Sequence, residues 1–263
     1  MTERTPLDIA HGAMDIAPDD DAARLRFFER LADSELFLML ETEAEGDRIR
    51  PETFSVEDGQ FVLAFDREDR LARFAGRPAP YAALSGRAIT SMLAGQGIGL
   101  AVNPEVAPSS ILIPAGAVDW LHETLGEGPS EVEHRITELL PPSGVPERLL
   151  SALDAKLATA GGLAHAAYLV EATYGSDGRG HVLGVIDAQP GAEPALARAV
   201  NEALTFSGIE AGSLDVAFFA ASDPIAARLA RVGLRFDLPQ PEARAEVVRT
   251  APGSDPDKPP ILR

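Results

Sequence analysis

Three groups of residues could do chemistry by type and spacing: a glycine-rich stretch, the histidines and the clustered carboxylates. Gly95, Gly97 and Gly99 lie within Gly95-Gln-Gly-Ile-Gly99. Such glycines cradle a phosphate when they follow a strand and open a helix, where free N–H groups meet the anion. Here the patterning puts a helix before them and a strand after them, and no Gly-Lys-Ser/Thr follows. They read as a helix end and turn. His11, His122, His134, His165 and His181 include no pair at the i, i+4 spacing that holds a metal on one helix face. Asp19, Asp20 and Asp21 read as the N-cap cluster of a helix, where carboxylates accept free N–H groups. The chain has no cysteine, which excludes disulfides, thiol nucleophiles and zinc-thiolate sites. No Gly-x-Ser-x-Gly elbow is present; Ser85 reads as a helix entry. No residue is therefore assigned to catalysis, to a metal or to a cofactor.

Charge narrows the partners. The formal net charge is -18 over 263 residues. Nucleic-acid binding needs clustered Lys and Arg, and so does a basic membrane anchor, so both are excluded as expectations. Between Glu29 and Asp69, thirteen acids face four arginines. That surface is solvated, and it suits a basic protein partner. The N-terminus lacks a basic segment followed by an apolar one, and no apolar run is long enough to span a bilayer. The expected location is cytoplasmic.

The elements that would position any site follow from periodicity. Residues 1–18 carry Pro6 and Pro18 with little pattern and read as a flexible arm. Leu25, Phe28 and Leu31 form a helical stripe over 22–32. Residues 35–41, 53–56 and 60–65 read as strands, the last two flanking an Asp58-Gly59 turn. Asp66 is placed to cap a helix over 67–75. A helix over 86–94, strands at 98–102 and 111–113, and a helix from Pro114 to about 125 complete a first domain, 19–126. Asn103-Pro104 stops the 98–102 strand. The stretch 126–130 is the expected linker.

The second domain, 131–238, reads strand 132–140, helix 146–159, strands 163–174 and 181–187, helix 192–206, strand 214–220 and a helix ending near 232. Residues 234–238 would add an edge strand. This β-α-β-β-α-β order suits a ferredoxin-like split unit with both helices on one face. Pairing Tyr174 with His181 would put Tyr168, Val170, Leu183 and Val185 on one face, as core. His165, Leu169, Glu171, Thr173, Val182 and Ile186 would share the other. That half-apolar face is the expected binding surface, covered by the first domain or by another chain. Residues 239–263 are proline-rich and read as a flexible tail. The fold class is α/β (α+β), with two mixed-sheet domains.

Residues 59–121 add a resemblance. Gly59-Gln-Phe-Val-Leu-Ala-Phe-Asp66, a helix, Gly97-Ile-Gly-Leu-Ala-Val-Asn103-Pro104 and Ser110-Ile-Leu-Ile-Pro follow in order. This resembles the N-terminal domain of SseB-family proteins over roughly 31–121, and the second half resembles the family's C-terminal domain as a pattern of elements. Where the family often carries Thr or Ser, Phe65 here runs directly into Asp66. The resemblance implies a bacterial cytoplasmic protein and supplies no catalytic residue; Asn103 and Pro104 transfer only as a signature. The reading is a non-enzymatic protein-binding or regulatory module. The alternatives are an enzyme with a small polar interdomain site near Asp66, Ser85 and Asn103, and an acidic secretion-chaperone-like protein.

Overall fold

A computed structural model describes residues 4–44, 46, 48–56, 59–126, 136–174, 178–208 and 214–240. Its elements run α1 (Pro6–Ile16), α2 (Asp21–Asp33), β1 (Glu35–Met39), β2 (Thr53–Val56), β3 (Gly59–Phe65), α3 (Glu68–Ala75), β4 (Tyr81–Ser85), α4 (Gly86–Leu93), β5 (Ile98–Val102), β6 (Ile111–Ile113) and α5 (Ala115–Gly126). The second half holds β7 (Glu138–Leu140), α6 (Glu147–Ala158), β8 (Ala166–Thr173), β9 (Arg179–Ile186), α7 (Glu193–Phe206), β10 (Leu214–Phe219), α8 (Pro224–Val232) and β11 (Leu234–Asp237). The protein is α/β with two mixed sheets.

The first sheet has six strands in the order β4-β1-β3-β5-β6, with β2 also paired to β3. Only β3 and β5 are parallel neighbours. Alternation sends Val62, Ala64, Leu100 and Val102 to one face, where Phe27, Leu31, Ile89 and Leu121 from the helices close the main core. Phe61, Leu63 and Phe65 point the other way, toward Leu71 of α3. Strand β4 is an addition to the expected set. It is an edge strand with two alanines and no β-branched residue, and three of its five residues are exposed, so its pattern is weak.

The second sheet has five strands in the order β10-β9-β8-β11, with β7 on the outer edge of β8 beside β11. In a ferredoxin-like unit the first strand lies between the third and fourth. Here β7 pairs directly with β8, and β10 returns through α7 to lie parallel to β9. The element order matches the expectation while the strand order does not.

The hairpin register also differs. His181 stands opposite Glu171, not Tyr174. That three-residue slip is odd, so it exchanges the faces of one strand relative to the other. Ala167, Leu169, Leu183 and Val185 face α6 and α7, while Val170, Ala172, Val182 and Ile186 lie under α8. Gly184 allows the approach of α8, because a Cβ there would sit 2.6 Å from Leu229.

Residues 1–18 are not simply an arm. Thr5 and Asp8 close a reciprocal capping box with Pro6 in the first turn, and Leu7 is buried, so α1 is a docked helix. The expected linker, beyond Gly126, and most of the tail, from 241, lie outside the described residues, as do 132–135 of the expected first strand. Among the described residues no helix is long and apolar enough to cross a membrane.

Candidate functional site

The sequence-derived residues separate into different places. Leu169, Val182 and Ile186 are buried, Leu169 on the α6/α7 face and the other two under α8. Glu171 accepts a hydrogen bond from Ser143 Oγ at 2.5 Å, and the Thr173 carbonyl accepts one from Thr137 Oγ1. These five side chains do not form one surface. Ser85 caps α4, its hydroxyl accepting from the Ala88 N–H at 3.2 Å. Asp66 and Asn103 do meet, with Asn103 Oδ1 accepting the Asp66 N–H at 3.2 Å, but within the first half. Asn103 thus ties the end of β5 to the end of β3, and Asp66 leaves the start of α3 without a side-chain cap.

Asp66 and Asn103 belong to a buried polar cluster at the C-terminal ends of the parallel strands β3 and β5. In open α/β sheets ligands bind outside such ends. Arg70, on α3, reaches Asp66 Oδ1 at 2.8 Å and Asp8 Oδ2 at 2.5 Å. Ser109 Oγ donates to Asp8 Oδ1 at 2.6 Å, and Asn103 Nδ2 donates to Ser109 Oγ at 2.9 Å. Thr5 Oγ1 donates to Asp66 Oδ2 at 2.6 Å. Burial alone would raise the Asp8 pKa, but Arg70, Ser109 and the Thr5 N–H hold it well below the usual carboxylate range. Asn103 and Glu105 have φ of 46° and 57°, left-handed values that cost a non-glycine residue energy. Pro104, between them, fixes the exit from β5.

A second polar cluster joins the halves. Lys156 of α6 lies 2.7 Å from Asp33, 3.0 Å from Glu202 and 3.4 Å from Glu29. Arg87 of α4 donates to Glu202 at 2.8 and 3.0 Å and to Asp33 at 2.9 Å. Burial would lower Lys156, yet the three carboxylates hold it above the usual lysine value. Burial raises Glu29, and Asp33 adds to it against the opposing pull of Lys156. Glu202, opposed by the same burial, is held low by Arg87 and Lys156. Beside this cluster, Phe206 of α7 is wholly buried in the first half's core, edge-on to Trp120 at 6.5 Å.

A groove opens next to the seam. It encloses about 660 Å³ between α1, α2 and α6, within the range of ligand sites. Ile9, Ala10 and Ala13 form one wall, and Ala152 and Ala155 the other. Arg26, Arg30 and Arg148 converge on it, with Glu29 and Glu147 also in its lining. Ile9 is 60% exposed there. Sequence reasoning missed both the groove and the seam. The available signal was a charge within an apolar stripe: Lys156 beside Leu149, Leu153 and Leu157, and Glu202 beside Val200, Ala203 and Phe206.

Among the described residues no group of three or more His, Asp or Glu side chains could hold a metal ion. No curated protein and no solved structure matches the chain. The sequence match is confined to the first half, and it includes Asp66, Arg70, Asn103 and Ser109 but not Asp8: residues 13–120 match the family model of the SseB protein N-terminal domain.

Proposed function

We propose that this protein is a cytoplasmic, non-enzymatic binding module, and that the groove between α1, α2 and α6 docks an acidic amphipathic helix of a protein partner. The observation that carries the reading is the convergence of Arg26, Arg30 and Arg148 on an apolar trough in a chain of net charge -18. Arg26 and Arg148 are held only by long, exposed contacts of 3.8 Å to Asp20, which the carboxylates of a partner can replace, and the small side chains of both walls leave room for apolar anchors at helical spacing. The cations at the seam are already committed to carboxylates: Lys156 and Arg87 each have at least two. They support a rigid scaffold beneath the groove rather than a reacting centre.

The test is a titration with a designed amphipathic helical peptide whose polar face is Glu, alongside a twin whose polar face is Lys. Nuclear magnetic resonance shifts should move on α1, α2 and α6 with the Glu peptide. Ala152→Trp, which fills the trough, should abolish the change, and Arg148→Glu should weaken binding by about tenfold, with less effect at high salt. Equal binding of the two peptides, or shifts confined to other elements, would reject the groove as the docking surface.

A further inference from the structure

The cluster around Arg70 has more of a receptor in it than a structural ion pair requires. The Asp8 carboxylate accepts from four donors: Arg70 Nη1 at 2.9 Å, Arg70 Nη2 at 2.5 Å, Ser109 Oγ at 2.6 Å and the Thr5 N–H at 3.0 Å. Three of the four belong to α3 and to the loop after β5, not to the segment that delivers the carboxylate. The two arginine bonds have the forked, parallel form that guanidinium makes with a free carboxylate. Each donor is itself held from behind. Asp66 grips Nη1 from the other side, at 2.8 and 3.1 Å, and Asn103 Nδ2 donates to Ser109 Oγ, turning the hydroxyl proton toward Asp8. Arg70, Asn103 and Ser109 are each at most 3% exposed. This is a preorganised carboxylate cradle at the C-terminal ends of β3 and β5, and it is complete without α1 except for one N–H.

The helix that fills the cradle is peripheral. Of α1, only Leu7 and Asp8 are fully buried; Ala10 and Met14 pack partly on the core and His11 meets Phe27 edge-on, while Ile9 and Ile16 are 60% and 86% exposed. Gly12 sits at its middle with no neighbour within 4 Å of a Cβ position, which lowers its intrinsic helix stability. We propose that Arg70, Ser109 and Asn103 form a carboxylate-binding site, that Asp8 occupies it as a tethered internal ligand, and that a carboxylate from outside the chain takes Asp8's place when α1 lifts. That carboxylate is either a free small acid or the acidic side chain of a peptide. The cradle is distinct from the groove, but α1 supplies Ile9, Ala10 and Ala13 to the groove wall, so lifting α1 would open the groove as well.

The test uses the full chain with Asp8→Ala, which empties the cradle while leaving its walls. Thermal unfolding is followed in sodium formate and in sodium chloride at equal ionic strength, and separately with a peptide copying residues 4–16. In chloride the variant should melt about 10 °C below the parent, since one partner of a buried pair has been removed. Formate should return about a third or more of that loss by mass action, leave the parent unchanged, and fail in the Asp8→Ala, Ser109→Ala double variant. Recovery with formate identifies a small-acid site; recovery with the peptide alone identifies a site for an acidic side chain. If the variant is unfolded in chloride, the return of its native circular dichroism in formate or peptide is the readout. Superimposable behaviour in formate, chloride and peptide overturns the proposal.

Discussion

Lys156 Nζ lies 2.7 Å from Asp33 Oδ2, and this pair ties α6 of the second half to α2 of the first. The Lys156 side chain is only 6% exposed, and Glu202 and Glu29 complete the surroundings of its ammonium. Removing it would leave three carboxylates facing one another with Arg87 alone to answer them. Lys156→Met should therefore cost about 3–5 kcal/mol in urea unfolding, since a broken buried pair leaves uncompensated charge. The loss should be accompanied by a broader transition, because the halves lose their main polar tie.

Phe206 tests the apolar part of the same seam. Truncation to Ala empties a ring-sized volume in the first half's core and should cost about 3–5 kcal/mol. Trp120 is the sole tryptophan, and it packs edge-on to both Phe28 and Phe206. Its emission should shift to longer wavelength in Phe206→Ala under native conditions, so fluorescence reads the seam directly.

Two carboxylates should give the stability curve opposite slopes. Burial raises the Glu29 pKa in the folded state, so the fold binds that proton more tightly than the unfolded chain does. Stability from this group rises as pH falls through its raised folded value and is fully present below its unfolded value of about 4.5. Asp8 is held low by Arg70 and Ser109, so its contribution is present above its unfolded value and is lost as pH falls below about 4. Glu29→Gln should thus flatten the mildly acidic limb of a urea-midpoint against pH profile and be at least as stable as the parent at about pH 7. Its loss below about pH 4 should persist.

Glycine positions give a contrast in sign. A Cβ on Gly86 would meet the Leu31 carbonyl oxygen at 2.0 Å, at the closest approach of α4 to α2. Gly86→Ala should cost about 3 kcal/mol, measured by urea unfolding. Gly12→Ala meets nothing within 4 Å and should stabilise by up to about 1 kcal/mol, provided α1 stays docked.

The elements with strong periodicity were legible. The stripe of Leu25, Phe28 and Leu31, the apolar run from Phe61 to Phe65 and the Pro146 entry to α6 each led to an element within a residue or two of its place. What failed was pairing. The residue types after Thr173 do not fix the register, so the sequence pattern sets Tyr174 opposite His181 and puts Leu169 on a face with Val182, where the structure pairs Glu171 with His181. Strand order in the second half failed for a related reason: β7 has only three residues, too few to choose its neighbour by pattern. The Arg70 cradle was half visible, because Asp66 and Asn103 stood out as strand ends. Asp8, Arg70 and Ser109 look like ordinary surface residues until the fold buries them.

Phe206 also bears on how the chain can be divided. The stretch recognisable from sequence ends at residue 120, but the ring that plugs its interior arrives from the last turn of α7, far downstream. The portion that can be recognised is thus smaller than the portion that can stand alone. A fragment cut to the recognisable limits would lose Leu7 at one end and Phe206 at the other, and would show water an apolar hole flanked by unanswered acids. Shorter versions intended for expression should keep everything from Thr5 through Leu238, since β10, α8 and β11 close the second core.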